Sequence, residues 1–380
     1  MADNGRISVK KGFSLNKDSA SGALAELKGM IGQPGMSLAL IFCSTNYDLK
    51  ELGRAIKSEF DCPVIGCTTA GEISPAGYPE WSLSGVSIAS TELSVKTFLI
   101  PDVNNFGVQA AAGISRDIKA SFPEKSGAEA ASSFGLLLID GLSVKEEPVV
   151  AYLSGAMGSM PIIGGSAGDN LKFKETCVYY DGEFISGAAV FSAFSTTLPV
   201  TAFKTQHFTP DNGSKMVITG AIPEKRIVTE INGRPAAQEY ARFVGLTIDK
   251  LEPMIFSRNP VMLKIGGEFY VRSIQKVNDD GSLTFYCAID EGLVLTLAKG
   301  VDIIENLEET FENVKKQIGS PKVVIGCECI LRRLEILEKG LAGQAARIMT
   351  ENNVIGFHTY GEQFNAVHVN QTLTGIAIGA

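Results

Sequence analysis

Apolar runs that end in glycine-containing polar loops occur three times along the chain. Residues 64–72 (VIGCTTAGE) return almost letter for letter at 354–362 (VIGFHTYGE), and a copy one residue shorter lies at 162–169 (IIGGSAGD). Each loop contains small or hydroxyl-bearing residues, a second glycine and an acid. Repetition at this wide spacing predicts one supersecondary unit used three times, with three polar loops that converge on one site.

The hydrophobic pattern around the first loop predicts a strand–helix–strand unit. The continuous apolar run at 38–42 favours a buried strand, and the apolar residues within 48–60 recur at helical spacing. Residues 63–66 then form the strand that enters the loop. Strands follow at 81–89 and 93–100, joined by a short polar turn.

The same plan is predicted around the other two loops. In the second copy we expect a strand at 134–139, a helix at 144–154 and an entering strand at 161–164. Strands then follow at 175–180, 184–191 and 200–203, with a tight turn at Asp181-Gly182. In the third copy we expect a strand at 322–326, one helix over 331–352, a strand at 354–356 and a final strand over 366–378.

Different elements are predicted between the second and third copies. The pattern favours a strand pair over 217–231, a helix at 236–244, antiparallel strands at 261–265, 268–277 and 283–288, and a helix at 305–318. The chain is therefore predicted to be an α+β protein of two domains. Its duplicated strand–helix–strand units would form mixed or antiparallel sheets covered by helices.

Composition and charge exclude several classes of protein. The chain has 380 residues, of which 45% are hydrophobic and 20% charged, and a net charge of −8, which suits a globular protein without a nucleic-acid surface. The pairs Lys315-Lys316, Arg332-Arg333 and Glu146-Glu147 are expected on solvated helix faces. An odd set of seven cysteines, no bilayer-length apolar stretch and no signal-peptide pattern predict a soluble cytoplasmic protein.

Several spaced segments together resemble the FIST family, a pair of sensory domains found mainly in prokaryotic signalling proteins. The amino-terminal FIST half is resembled by PVIGCTTAGEI (63–73), PIIGGSAGD (161–169) and VYYDG (178–182). The carboxy-terminal half is resembled by GRPAAQEY (233–240), FYVRSI (269–274), GCECILRR (326–333), GFHTYGEQ (356–363) and VNQTLT (369–374). The resemblance implies a FIST N-type domain with an internal repeat at 25–225 and a FIST C-type domain at 226–380.

The resemblance also implies a function. FIST domains are thought to sense small ligands, amino acids among them, and a subset resembles haem-binding nitric oxide sensors that act on histidine kinases or cyclic-di-GMP enzymes. Members often carry an output domain, whereas the two FIST halves account for the length of this chain. The resemblance therefore implies a stand-alone sensor that binds a small ligand, with haem as a candidate cofactor, and signals through a partner protein.

The loops carry the candidate ligand-binding residues. Glycines let a backbone turn and approach a ligand, hydroxyls offer hydrogen bonds, and the loop acids would hold an ammonium group. The candidates are Thr68, Thr69, Gly71, Glu72, Ser166, Thr359, Tyr360, Gly361 and Glu362, with Asn370. The structural alternative is a tight connection whose acid satisfies backbone donors. No loop has the spacing or the lysine of a phosphate-binding loop.

Histidine is scarce, and a haem needs an axial ligand. The chain contains only His207, His358 and His368, without a Cys-x-x-Cys-His motif, so any haem would be held non-covalently. His207 and His358 are the candidate cofactor ligands. The alternative is that each histidine is half-exposed or is hydrogen-bonded within the fold.

Two further alternatives remain open at this level. Cys67, with Thr68, would be the nucleophile if the chain were a small hydrolase, which requires a general base beside the thiol. Cys327 and Cys329 would start a metal site, although zinc needs four ligands. An adaptor that acts through its surface is another possibility, and binding to a kinase without any ligand would favour it.

Overall fold

Three copies of one strand-and-helix unit form a central body, and a separate β-rich domain is inserted into the third copy. The structure, a computed structural model, describes residues 5–79, 81–122 and 131–380. The first copy consists of β1 (Ser8–Ser14), α1 (Ala20–Ile31), β2 (Leu38–Cys43), α2 (Leu49–Glu59), β3 (Val64–Thr68), β4 (Glu72–Ile73) and β5 (Leu83–Ala89). The second consists of β6 (Leu93–Ile100), α3 (Val108–Ser121), β7 (Ser132–Ile139), α4 (Glu146–Met157), β8 (Ile162–Ser166), β9 (Val178–Tyr180), β10 (Glu183–Ile185) and β11 (Ala189–Thr196).

The third copy begins with β12 (Val200–Gln206), and the inserted domain follows at once. That domain consists of β13 (Phe208–Ile222), β14 (Ile227–Ile231), β15 (Arg234–Pro235), α5 (Ala236–Val244), α6 (Pro253–Arg258), β16 (Val261–Ile265), β17 (Glu268–Arg272), β18 (Ile274–Val277), β19 (Leu283–Phe285) and β20 (Val294–Gly300). The third copy resumes with α7 (Ile303–Ile318), β21 (Val323–Cys329), α8 (Ile330–Glu338), α9 (Ala342–Glu351), β22 (Val354–Thr359), β23 (Glu362–Phe364), β24 (Val367–Val369) and β25 (Thr372–Ile378).

Each copy builds the same four-stranded sheet. In the first copy, β2 and β3 pair in parallel because α2 carries the chain back across the sheet, and β5 and β1 add antiparallel strands on the other side of β2. The second copy pairs in the order β6-β11-β7-β8 and the third in the order β12-β25-β21-β22. The repetition seen in the loops is therefore a repetition of whole sheets.

Local sequence explains the first unit well. Every residue of Leu38–Cys43 is buried, which is what a continuous apolar run in a covered strand requires. Asp48 begins α2, and its carboxylate accepts from the amides of Lys50 and Glu51, both at 2.9 Å. Leu52 and Ile56 then face the sheet, as their helical spacing predicts.

Each copy also donates strands to the sheet of another copy. β4 of the first copy pairs with β22 of the third, β9 of the second pairs with β3 of the first, and β23 of the third pairs with β8 of the second. The donated strands follow the three polar loops directly or after a short connection. The loops are therefore the places where the chain crosses from one sheet to the next, and the exchange closes a ring.

The inner faces of the three sheets pack on one shared apolar core. Phe42, Phe134 and Ile325 enter it from three different sheets, and the rings of Phe42 and Phe357 stack with centroids 4.8 Å apart. Helices cover the outer faces in three separate clusters, formed around α1 and α2, around α3 and α4, and around α7 and α9. The inserted domain has its own core, which includes Met216, Tyr240 and Phe256.

The predicted fold class is confirmed, and several elements have the predicted bounds. Helix α5 and strands β6 and β16 begin and end at the predicted residues. Asp181 and Gly182 adopt positive φ angles of 48° and 102° between β9 and β10, as a tight hairpin turn requires.

Four predicted elements are each divided in two. The helix expected over 331–352 is two helices, because the chain turns at Gly340, whose φ is 68°. The strand expected over 366–378 is likewise divided into β24 and β25, with Gln371 between them at a φ of 51°. The strands expected over 184–191 and 268–277 are also divided, into β10 and β11 and into β17 and β18.

Of the charged pairs expected on solvated helix faces, one is buried and one is partly buried. Arg332 and Arg333 are 0% and 6% exposed, and Glu146 is 1% exposed. The residues of these pairs lie where α8 and α4 meet other parts of the fold, which local periodicity does not reveal. Lys315 and Lys316 are exposed, as predicted.

Candidate functional site

The three polar loops meet one another through backbone hydrogen bonds. The amide of His358 donates to the carbonyl of Gly71 at 2.7 Å, and the amide of Ala70 donates to the carbonyl of His358 at 2.9 Å. The second loop joins them, since the amide of Ser166 donates to the carbonyl of Gly361 at 2.8 Å. The structure thus brings the loop candidates together in a tightly hydrogen-bonded junction.

Glu72 holds the first loop together from the inside. One carboxylate oxygen accepts from the Thr69 hydroxyl, and the other accepts from the Ser82 hydroxyl at 2.6 Å and the Ser82 amide at 3.3 Å. The Thr69 hydroxyl in turn accepts from the amide of Gly71 at 3.2 Å. Burial outweighs these hydrogen bonds and raises the pKa of Glu72 to about 7.

Glu362 does the same in the third loop. It accepts from the Thr359 hydroxyl on one oxygen, and from the Thr372 hydroxyl at 2.7 Å and amide at 3.1 Å on the other. The Thr359 hydroxyl accepts from the amide of Gly361 at 3.1 Å. Burial raises the pKa of Glu362 to about 8.

The shorter second loop uses Asp169 in place of glutamate. Its carboxylate accepts from the amides of Phe173 at 2.9 Å and Lys174 at 2.7 Å, and from the Tyr360 hydroxyl. The Tyr360 hydroxyl also accepts from the amide of Leu171 at 2.7 Å. Tyr360 is therefore engaged in joining the third loop to the second.

This geometry matches the structural alternative for the loops. Thr68, Thr69, Glu72, Ser166, Thr359 and Glu362 are each at most 1% exposed, and Tyr360 is 2% exposed. Gly71 adopts a φ of 123°, which explains a glycine there without any ligand. Direct ligand contact by these residues stays a prediction.

His207 belongs to a buried chain of charged groups. Its Nδ1 lies 2.8 Å from Arg332 Nη1 and its Nε2 lies 2.8 Å from Glu335 Oε2. Because a guanidinium can only donate, Nδ1 accepts and the proton of the neutral ring is on Nε2. Burial lowers the pKa of His207 to about 4, and Lys339 completes the chain by donating to Glu335 at 2.6 Å.

His358 is enclosed where the first and third loops cross. It is 0% exposed, and neither ring nitrogen has a hydrogen-bond partner among the described residues. Its Nδ1 lies 3.6 Å from Glu328, and the Tyr78 ring packs against it edge-on. Burial holds the pKa of His358 well below its usual value.

These surroundings do not fit a haem. A haem face needs a histidine nitrogen with an open position beside it, whereas both nitrogens of His207 are engaged and His358 lies under the crossing loops. Neither His207 nor His358 lines the cleft described below.

The surroundings of Cys67 do not fit a nucleophile either. The thiol is fully buried in the central core, and burial raises its pKa well above the usual value, so it stays protonated. The Thr68 hydroxyl accepts from the amide of Cys177 at 3.0 Å. Cys327 and Cys329 are buried free thiols, and the described residues contain no group of three or more His, Cys, Asp or Glu placed to hold a metal.

A second set of buried polar groups, which we call the inner polar cluster, lies where the inserted domain meets the body. It consists of Arg272, Ser273, Gln363, His368, Asn370 and Gln371. Arg272 Nη1 donates to the carbonyl of His368 at 3.3 Å, and the amide of Ser273 donates to the Asn370 side chain at 3.2 Å. His368 and Asn370 also both lie beside Gly361.

Several atoms of the inner polar cluster have no hydrogen-bond partner among the described residues. They are Arg272 Nε, Ser273 Oγ, Gln363 Oε1, His368 Nε2 and Gln371 Oε1. Buried polar atoms are almost always paired in native proteins, so an unpaired group of this size indicates an additional bound molecule or ordered water. Sequence reasoning selected Asn370 from this cluster and missed the rest. The available signal was an arginine within the strand-like segment FYVRSI and the polar pair in VNQTLT.

A cleft of about 840 Å³ is lined in part by β17 and β24, the strands that carry Arg272 and His368. We call it the interdomain cleft. Strand β12 and helix α7 of the body form one side, and the β16–β17 hairpin and the β23–β24 hairpin form the other. Its lining includes Lys204, Tyr270, Asn306, Asn313, Phe364 and Val369. The Lys204 ammonium lies 4.5 Å from the centre of the Tyr270 ring.

An ion pair fixes the inserted domain against the second copy. Arg226 donates to Glu146 at 2.6 Å and to Glu147, and also to the carbonyl of Tyr286 at 2.7 Å. Arg226 and Glu146 are 5% and 1% exposed. The two acids, expected from the sequence on a solvated helix face, hold this contact, Glu146 from a buried position and Glu147 from a partly exposed one.

Two family models match the chain. The FIST N domain model matches residues 37–234 and the FIST C domain model matches residues 236–365. An uncharacterized protein of Methanocaldococcus jannaschii is 23% identical over 393 aligned positions, which cover 92% of this chain and 75% of that protein. In the described part of the chain, no helix has the length and apolar character to cross a membrane. The two family models together cover nearly the whole chain, and the protein therefore belongs to the FIST family.

Proposed function

We propose that the protein is a signalling sensor that takes up a small ligand in the interdomain cleft and passes the signal to a partner protein. FIST domains are associated with sensing in signal transduction. The observation that carries the site assignment is the position of the cleft. Its lining comes both from the body and from the β16–β17 hairpin of the inserted domain. The expected partner is a histidine kinase or a cyclic-di-GMP enzyme, and the expected location is the cytoplasm.

The cleft has the dimensions and chemistry of a small-ligand site. Its volume of about 840 Å³ falls in the range of roughly 300–1,000 Å³ that such sites occupy. Phe203, Phe364 and Val367 provide apolar contact, while Lys204 and Asn313 provide polar groups. This mixture suits a metabolite with an apolar part and a charged end, such as an amino acid, better than a flat macrocycle that needs an axial histidine.

The position of the cleft supplies a route for signalling. Val367 and Val369 line it, and His368 between them faces the inner polar cluster, where its carbonyl accepts from Arg272 of the inserted domain. A ligand that draws β17 and β24 together would favour one arrangement of the inserted domain. Such a difference in affinity between arrangements is what a ligand needs to shift a population.

A blocking substitution tests this proposal. Asn313→Trp places an indole in the cleft, and Glu312→Trp places one on an exposed position of the same helix that does not line the cleft. The probes are the common amino acids, haemin and simple carboxylates, with the melting temperature and calorimetric titration as readouts. We expect at least one probe to stabilise the wild type and Glu312→Trp but not Asn313→Trp. Equal stabilisation of all three proteins, or of none, would overturn the site assignment.

A further inference from the structure

Arg272 is a buried cation that lacks a carboxylate partner. It is 6% exposed, its Nη1 donates to a backbone carbonyl, and its Nε has no partner among the described residues. A guanidinium removed from water without a paired anion is unfavourable, and structures normally supply the anion. Glu146 and Glu147 carry two negative charges against the single positive charge of Arg226. The surplus negative charge offsets part of the cost of burying Arg272, but neither acid makes a hydrogen bond to Arg272.

The interdomain cleft leads toward this guanidinium. Side chains of a strand alternate between its two faces, so Glu268, Tyr270 and Arg272 of β17 lie on one face. Glu268 and Tyr270 line the cleft, and along this face the exposure falls from Glu268, which is exposed, through Tyr270, which is half-buried, to Arg272. Arg272 does not itself line the cleft; it is the next residue on this face after Tyr270, behind the lining residues.

His368 adds a second unpaired donor nearby. The Gln363 amide nitrogen lies 3.4 Å from the carbonyl of Gly361, which can only accept, so this side of the amide is the nitrogen. The same nitrogen lies 3.3 Å from His368 Nδ1, which must therefore accept. The proton of the neutral imidazole is thus on Nε2, the nitrogen that has no partner.

We propose that the inner polar cluster, behind the interdomain cleft, binds the carboxylate group of a small molecule, with Arg272 as the charged donor and His368 Nε2 and Ser273 Oγ as neutral donors. The inference rests on the proposed function and adds the chemistry of the ligand. A planar carboxylate matches the guanidinium fork, and its single charge equals that of Arg272. A phosphate would bring a second negative charge close to Glu146 and Glu147.

Paired probes test the chemistry. Acetate, propionate and benzoate are titrated against the wild type beside acetamide, propionamide and benzamide at constant ionic strength. We expect the carboxylates to bind and the matched amides to bind at least about tenfold more weakly, ~1.4 kcal/mol for each factor of ten. Equal binding of acids and amides would overturn the inference, as would the absence of binding by every acid.

Variants locate the site. Arg272→Met removes the charge, Arg272→Lys keeps it without the fork, and Arg234→Met serves as a control at a side chain that is 61% exposed. We expect carboxylate affinity to fall by about tenfold or more in Arg272→Met, less in Arg272→Lys, and not in Arg234→Met. If Arg272→Met fails to fold, Arg272→Lys and Ser273→Ala carry the test, and unchanged affinity in both would overturn the inference.

The two proposals fail in different ways. Suppose that Asn313→Trp abolishes binding of a ligand, but the acid and amide forms of that ligand bind the wild type equally well. That result supports the cleft as the site of the sensor and contradicts the carboxylate inference. A carboxylate that binds through Arg272 and is unaffected by Asn313→Trp supports the inner site and contradicts the cleft as the site of the sensor.

Discussion

Glu72 and Glu362 occupy the same position in two copies of the repeat and hold the same hydrogen bonds. Each accepts from the threonine three residues earlier and from a hydroxyl ten residues later. Each is fully enclosed, and each follows the loop at which the chain crosses to another sheet. The repeated motif therefore supplies internal hydrogen bonds that hold the chain where it passes from one sheet to another.

These two acids predict an unusual dependence of stability on pH. Their folded pKa values of about 7 and about 8 lie above the unfolded value of 4.5, so the folded state holds its protons more tightly. The stability they contribute is fully present below the unfolded pKa and is lost as pH rises through the folded values. From about pH 6.5 toward the folded pKa of Glu362, we expect Glu362 to lower the free energy of unfolding by up to about 1.4 kcal/mol per pH unit, while Glu72 adds to this slope only up to its own folded pKa.

Urea unfolding of Glu362→Gln tests this. The variant lacks the titrating group, so its stability should fall less steeply than that of the wild type over this interval, while Glu312→Gln on an exposed helix face should follow the wild type. Parallel curves for the wild type and Glu362→Gln would contradict the assignment. The measurement stays above about pH 6.5. Below that pH the lowered pKa of His207, about 4, makes the protein less stable as pH falls, which is the opposite trend.

Three equivalent glycines predict a steric requirement. Gly66, Gly164 and Gly356 each pair with a residue of the neighbouring parallel strand, and a Cβ at each would overlap the carbonyl oxygen of that partner. None of the three has a positive φ, so close approach of the strands and not a turn explains them. Alanine at any of them should destabilise the protein by about 1–3 kcal/mol.

Gly343 is the matched control for these substitutions. It lies within α9 with no atom near the place of a Cβ, so Gly343→Ala should stabilise by about 0.4–1 kcal/mol. Chemical denaturation of the four variants decides the matter. Tolerance of alanine at Gly66, Gly164 and Gly356 would mean that the sheets are not packed as closely as described.

The contact of Arg226 with Glu146 and Glu147 predicts a large effect of breaking it from one side. Arg226→Met leaves the buried carboxylate of Glu146 and the partly buried one of Glu147 without their cation and should cost about 3–5 kcal/mol. Adding Glu146→Gln and Glu147→Gln should recover much of that loss, since no buried charge then remains. Arg347→Met, at a pair with both side chains more than half exposed, should change stability by less than about 1 kcal/mol. Similar losses in Arg226→Met and Arg347→Met would refute this account of the contact.

The surroundings of the histidines predict no haem complex. Protein expressed with haem supplied, or incubated with haemin, should show no Soret band beyond that of free haemin and no shift on adding nitric oxide. A stable Soret band would contradict this expectation. Its loss in His207→Ala or in His358→Ala would then identify the ligand.

Much of the fold could be predicted from the sequence, and the limits have physical causes. The buried strand at Leu38–Cys43, the helix Ala236–Val244 and the Asp181-Gly182 turn each depend on local periodicity or turn chemistry, and each was predicted. The exchange of β4, β9 and β23 between sheets was not, because nothing local selects the partner of a short strand. The break at Gly340 was overlooked, since an amphipathic pattern continues across it.

The candidate site was less predictable than the fold. Repetition drew attention to Thr69, Glu72, Thr359 and Glu362, which the structure gives internal hydrogen bonds. Arg272 became a candidate only when β17 was found to cross β24, which is far from it in the chain. The repeated motif marks residues that hold the copies of the unit together. A site between the body and the inserted domain occurs once, so repetition in the sequence does not reveal it.

Hydrogen exchange at the amides of β17 and β24 is the most direct test of the central claim, that a small ligand enters between the body and the inserted domain. It would be measured with and without the tightest-binding probe of the amino-acid and carboxylate panel. With ligand bound, we expect slower exchange at Glu268–Arg272 and Val367–Val369, and no change in the remote strand β1. Unchanged exchange at both segments with saturating ligand, or protection confined to other parts of the molecule, would contradict it.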